Sequence, residues 1–233
     1  MAVHHTKDWI SILMDSNIKV GQVTLGPVQT NCYFVFKDTE DRSASNEPIP
    51  CIFFDPADAG EYLYEKLTEK NFKVELILLT HGHFDHMAGA ADLKRLSGAP
   101  IWCWEKESSV CEDPEVNLSY DFIGKSITIK PDRFLRDEEI IEAAGLKCRL
   151  LGTPGHTVGS CCYSFDDDKI LISGDTLFEG SVGRTDFPGG SSQALVRSVH
   201  EKLFDLPDDT IVYPGHGGAT TIGDEKLYNP FLR

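Results

Sequence analysis

Basic side chains are scarce: 22 Lys and Arg stand against 37 Asp and Glu, a formal charge of -15 at pH 7. Nucleic-acid phosphates and anionic lipid both need a basic footprint, so neither is expected as a partner. A small anionic substrate stays open, because carboxylates that bind dications are neutralised locally. Long apolar runs are absent as well. No window approaches the about 18 apolar residues that a membrane span requires, and the start of the chain offers only the short run Trp9 to Met14. Neither an anchor nor a signal peptide is expected. The seven cysteines are odd in number, scattered and without CxxC spacing, which is unlike a disulfide framework and points to a reducing, cytoplasmic setting. Cys161 and Cys162 are neighbours on a predicted strand, so they face opposite ways and read as small buried hydrophobes rather than as metal ligands.

What is present is a mixed α/β pattern that fits a single domain over residues 1–233, with residues 1–16 as an extension carrying His4 and His5. Runs rich in β-branched and aromatic residues predict strands at Lys19–Leu25, Asn31–Phe36, Cys51–Asp55, Val74–Thr80, Lys147–Gly152, Cys161–Phe165, Ile170–Ser173 and Thr210–Tyr213. Helical spacing predicts Gly60–Lys70, His86–Leu96 closed by Gly98, Ser192–Phe204 and a short helix at Asp224–Tyr228. Asp38–Pro50 reads as a surface loop and Asp166–Lys169 as a tight turn. Trp102 and Trp104 read as core, and His200 as a residue on a charged helix face.

The strongest chemical signal is Thr80-His81-Gly82-His83-Phe84-Asp85-His86, directly after the apolar run Val74–Leu79. Residues two apart on an extended segment face the same way, so His81 and His83 can share one metal. The turn that follows directs Asp85 and His86 elsewhere, towards a second. Asp85 is also expected to cap the helix beginning near His86. Three further loops each follow an apolar run: Thr153-Pro154-Gly155-His156, Ser173-Gly174-Asp175 and Pro214-Gly215-His216. Any one alone is a turn. Together they place His81, His83, His86, His156 and His216, five of the eight histidines, in strand-end loops, as a binuclear site of neutral imidazoles and carboxylates requires.

In this order and spacing THGHFDH, GTPGHT, SGDT and PGHG resemble the metallo-β-lactamase superfamily over nearly the whole chain. The resemblance implies a four-layer αββα sandwich, with His81, His83 and His156 on one metal, Asp85, His86 and His216 on the other, and Asp175 bridging. A bridging aspartate at Asp175 disfavours true β-lactamases. His83 in place of a glutamate disfavours the flavin-diiron members.

The run Gly180-Ser181-Val182-Gly183-Arg184-Thr185-Asp186-Phe187 and the ending Thr220–Phe231 resemble short bacterial glyoxalase II-like hydrolases. The expected substrate is a small thioester such as S-lactoylglutathione. Arg184 and Lys226 are the candidate substrate-binding residues; the bland alternatives are a buried salt bridge for Arg184 and a solvated charge for Lys226. With seventeen residues after His216, the C-terminal helical domain with which full-length glyoxalase II grips glutathione is not expected here. Two divalent ions, expected to be zinc with iron or manganese as alternatives, would bring a shared water's pKa towards about 7. Asp85 is the expected catalytic residue, orienting that water. The competing expectation is an iron-dependent persulfide dioxygenase, with one iron on His81, His156 and Asp175 and Arg184 facing glutathione.

Overall fold

β-Branched and aromatic side chains in alternation build two six-stranded sheets. The structure, a computed structural model, describes residues 18–37 and 47–233. The N-terminal extension, with His4 and His5, and residues 38–46 of the expected surface loop lie outside the described residues. In the first sheet β1 (Ile18–Leu25), β2 (Thr30–Lys37), β3 (Ile49–Phe54), β4 (Phe72–Leu78), β5 (Ile101–Trp104) and β6 (Arg133–Leu135) lie side by side in chain order. The second is made of β7 (Ile140–Ala143), β8 (Leu146–Gly152), β9 (Cys161–Phe165) and β10 (Ile170–Gly174) and, after a small hairpin of β11 (Leu177–Phe178) and β12 (Ser181–Val182), of β13 (Ile211–Pro214) and β14 (Thr220–Thr221). Helices α1 (Gly60–Glu69), α2 (Phe84–Met87), α3 (Ala90–Ser97), α4 (Ser108–Glu112), α5 (Ser119–Ile123), α6 (Ser192–Ser198) and α7 (Ile222–Tyr228) connect them.

The period of two sends successive residues of one strand into different cores. On β2, Phe34 packs with Phe53 of β3 and with Leu63 and Leu67 of α1, while Tyr33 and Val35 enter the space between the sheets with Phe54, Tyr163 and Phe165. On β9, Cys161 faces that inter-sheet core and Cys162 the opposite one, which holds Leu171, Val199, Leu203 and Val212. Three cores separate four layers, so the chain is an αββα sandwich. All seven cysteines are buried and unpaired, and Trp104 lies in the inter-sheet core with Trp102 packed against it. Phe54, fully buried with its ring 5.4 Å from Tyr163, is a direct test of this layering: Phe54→Ala is expected to cost about 3–5 kcal/mol in urea unfolding, and a loss below about 1 kcal/mol would contradict it.

One helix departs from expectation. The predicted single helix at His86–Leu96 is two, α2 and α3, broken at Ala88 and Gly89. Gly89 N donates to Pro56 O at 2.8 Å, and a side chain there would meet Asp58 O at 2.8 Å. This contact with the loop after β3 forces the break. The predicted Ser192–Phe204 helix is continuous but widens into a π-helical turn at Val199–Leu203. No helix among the described residues is long and apolar enough to cross a membrane.

Candidate metal centre

Strand direction brings the candidate loops to one edge. β10 and β13 are parallel, so Asp175 and His216, each following one of them, emerge together. β8 is antiparallel to β9, which is antiparallel to β10, and His156 therefore follows at the same end. The first sheet meets them where Cys161 N donates to Thr80 O at 2.9 Å, and the loop after β4 delivers His81 and His83 there.

All seven predicted ligand residues converge. Potential ligand atoms of His81, His83 and His156 lie within 4.8 Å of one another, as do those of Asp85, His86 and His216 and those of His81, His86 and Asp175. Asp175 spans the two halves: Oδ1 is 3.3 Å from His86 Nε2, and Oδ2 is 3.6 Å from His156 Nε2 and 3.5 Å from His216 Nε2. Asp85 does not cap a helix. α2 begins at Phe84 with no side-chain cap, and Asp85 in its first turn accepts from Thr30 Oγ1 at 2.8 Å and lies 3.4 Å from His216 Nε2.

Hydrogen bonds outside the cluster set the rings' tautomers. Thr80 Oγ1 donates to Asp55 Oδ2 at 2.6 Å, so it accepts from His81 Nδ1 at 3.1 Å. His86 Nδ1 donates to Asp55 Oδ2 at 2.9 Å and His156 Nδ1 to Arg184 O at 2.7 Å. Each ring thus turns Nε2 to the centre. His81 Nε2, His86 Nε2 and Asp175 Oδ1 are buried without a hydrogen-bond partner, a costly condition for polar atoms unless a cation receives their lone pairs. His83 Nδ1 approaches His156 Nε2 to 2.9 Å, a separation that two lone pairs tolerate only with a proton or cation between them.

The electrostatics agree. Burial and the neighbouring histidines hold His81 well below its ordinary pKa, and burial with His156 brings His83 to about 3, so both rings are neutral at pH 7, the form that ligates. Burial opposes charge on His86 and His216 too, but it is outweighed by Asp175, Asp85 and Asp55 around His86 and by Asp85 and Asp175 around His216, so both are raised. Asp85 and Asp175 are lowered despite burial by the histidines they face. The two carboxylates favour positive charge at this place, which dications would supply. The cluster fits divalent metal ions.

Several supporting residues were not singled out from the sequence. Asp55, which anchors His86 and Thr80, ends the apolar run Cys51–Phe54, and that strand-end position was a usable signal. Asn31 had none: its Nδ2 donates to Pro214 O and Gly217 O, both at 3.0 Å, while its N donates to Gly215 O at 2.8 Å, and Tyr33 Oη donates to Pro214 O at 2.8 Å. These bonds tie the His216 loop to the first sheet. Glu107 is a further buried carboxylate, raised to about 7 by burial against the hydrogen bonds it receives from Gly82, Thr157 and Gly159.

The two candidate substrate residues divide. Arg184 reaches the rim: its backbone O holds His156, and its guanidinium pairs with Asp186 through two 2.7 Å bonds and lies 3.8 Å from the centroid of Phe187, whose ring is 5.7 Å from that of His83. The ion pair is exposed, with 55% of the Arg184 side chain accessible, so the buried salt bridge considered for it is not what the structure contains. Lys226 is not brought to the cluster. Its ammonium is held by Asp208 Oδ1 at 2.6 Å and Leu206 O at 3.3 Å beside Phe204, contacts on the outer helical layer. His200 also lies apart, against Leu232 O.

Fold and cluster together define a metal-dependent hydrolase. The chain belongs to the metallo-β-lactamase superfamily, whose family model matches residues 25–216. It is 35% identical over 218 residues to the hydroxyacylglutathione hydrolase GloC of Haemophilus influenzae, covering 93% of this chain and 98% of that one. Among solved structures, the BLEG-1 B3 metallo-β-lactamase shares 38% identity at a TM-score of 0.83, covering 91% of this chain and 99% of the other. TTHA1623 in a di-iron-bound form shares 35% at 0.76, with the same coverage of 91% and 99%.

Proposed function

We propose that this protein is a thioester hydrolase of the glyoxalase II type, acting on S-lactoylglutathione or a related small thioester. The observation that carries the reading is Asp175, set between His86 on one side and His156 and His216 on the other. In this reading His81, His83 and His156 would hold one divalent ion and Asp85, His86 and His216 the second, with Asp175 available to either. Two such ions supply an activated water at neutral pH and a Lewis acid for the substrate carbonyl. Zinc is the metal we expect, and the di-iron form of TTHA1623 makes iron the first alternative to test. Asp85, positioned by Thr30 Oγ1, accepts a hydrogen bond from the attacking water and orients it. The leaving thiolate, with a parent pKa of about 8.5, departs without a strong general acid, which an amide nitrogen could not do.

The match to GloC supports the glutathione thioester. The match covers 98% of that relative, so the likeness extends over nearly its whole length. Arg184 at the rim is the group proposed to meet an anionic substrate. Arg184→Ala leaves its backbone bond to His156 available and is expected to raise KM about tenfold while changing kcat less than about twofold, measured by initial rates over a range of S-lactoylglutathione concentrations.

The deciding experiment is thiol release from S-lactoylglutathione by protein loaded separately with zinc and with iron, beside Asp85→Ala. Rapid release lost in the variant supports the reading; metal-loaded protein that releases no thiol from S-lactoylglutathione excludes that substrate, and none from a panel of small acyl thioesters overturns the reading. A second reading, iron-dependent persulfide oxidation, draws on the Gly183–Phe187 run, and oxygen uptake with a glutathione persulfide distinguishes it. The likeness to BLEG-1, a B3 metallo-β-lactamase, makes a β-lactam the third substrate to assay.

A further inference from the structure

Glu107 ends a short 3-10 turn after β5 and is completely buried. Its Oε1 accepts from Gly82 N at 2.8 Å. Its Oε2 accepts from Thr157 Oγ1 at 2.9 Å and from Gly159 N at 2.8 Å. Gly82 stands between His81 and His83, and Thr157 directly follows His156. One carboxylate thus joins the two loops that carry the first triplet, while none of its partners lies in the loops bearing Asp175 or His216.

Burying a carboxylate is costly unless its oxygens are satisfied, and packing alone does not call for it. A carboxylate accepts on both oxygens at once, whereas an amide of the same shape has one acceptor and must turn its NH2 towards donors on one side. The packing is tight. A side chain at Gly159 would meet Glu107 N at 2.4 Å, and one at Gly82 would meet Cys111 N at 2.8 Å, so both loops lie close against the backbone of the segment that carries Glu107. Thr157 is fixed further by Ser160, whose Oγ accepts from Thr157 N at 2.8 Å. The result at the centre is the 2.9 Å approach of His83 Nδ1 to His156 Nε2, which sets the gap in which an ion between these two rings must fit.

We propose that Glu107 is a positioning residue that sets the spacing of the His81–His83 loop against the His156 loop, and so the affinity of the first metal position independently of the second. This rests on the reading above that the triplet His81, His83 and His156 holds an ion.

The test uses metal-stripped full-length protein titrated with Zn2+ against a chromophoric chelator, with Co2+ absorption as a second readout and thermal unfolding as a fold control. Wild type is expected to take up two ions. In E107Q the affinity for one ion is expected to fall about 10- to 100-fold, with the other held within about threefold and a changed Co2+ spectrum for the weakened position. Thr157→Val removes a single donor and is expected to weaken the same ion less; it stands in for E107Q should that variant not fold. E107Q, or in its place Thr157→Val, binding both ions with wild-type affinity overturns the proposal whatever happens to Tm, and so does equal weakening of both. Wild type binding fewer than two ions, or His83→Ala losing neither, instead overturns the binuclear reading itself, so the two failures are distinguishable.

Discussion

Asp175→Ala is expected to lower kcat for thioester hydrolysis by about 10³-fold or more and to leave purified protein with fewer than two metal ions per chain. Both carboxylate oxygens face imidazoles, Oδ1 towards His86 at 3.3 Å and Oδ2 towards His156 and His216 at 3.6 and 3.5 Å. Removing them deletes the group common to the two halves and the carboxylate that faces His86, His156 and His216. Asp175→Asn separates the effects, because it keeps the shape and removes the charge. It is expected to retain part of the metal and almost none of the activity. Metal analysis beside steady-state kinetics decides the matter, and retention of more than about a tenth of kcat by the alanine variant would remove Asp175 from the centre of the mechanism.

Gly215→Ala tests the site by filling it. A Cβ at this position would lie 2.2 Å from Asp175 Oδ1 and 2.6 Å from His86 Cε1. The loop cannot retreat: Gly215 N donates to Gly174 O and Gly215 O accepts from Asn31 N, both at 2.8 Å. Gly215 is not among the residues of positive φ, so its backbone accepts alanine and the effect is confined to the ligands. Displacing Asp175 or His86 by even about 1 Å is expected to cost about 10²-fold or more in kcat, with weaker metal binding. A variant with normal activity and metal content would mean that the loop moves as the present contacts forbid.

Much of the fold was legible because its signals are local. Alternation on Asn31–Phe36 and Cys161–Phe165 marked strands whose faces enter different cores, and Cys161 and Cys162 separate between two cores as expected. Local spacing predicts His86–Leu96 as one helix because the break at Gly89 comes from Pro56 and Asp58, residues far away in sequence with which no local pattern communicates. The cap assigned to Asp85 failed for a related reason: the helix starts at Phe84, and the carboxylate finds Thr30, 55 residues away, instead.

The site divides along the same line. Residue chemistry and strand-end position were enough to pick out His81, His83, Asp85, His86, His156, Asp175 and His216, because a ligand must be an imidazole or carboxylate held where a strand releases the chain, and both properties are local. The resemblance to the superfamily implied how they group, which spacing had left open. That Asp175 sits between both triplets, that Asp55 and Glu107 support them from behind, that Arg184 lies at the rim and that Lys226 is spent on Asp208 are matters of three-dimensional distance. Those distances are set by the parallel pairing of β10 with β13 and by the contact of Thr80 with Cys161 between the sheets, interactions between segments that only packing of the whole chain brings together.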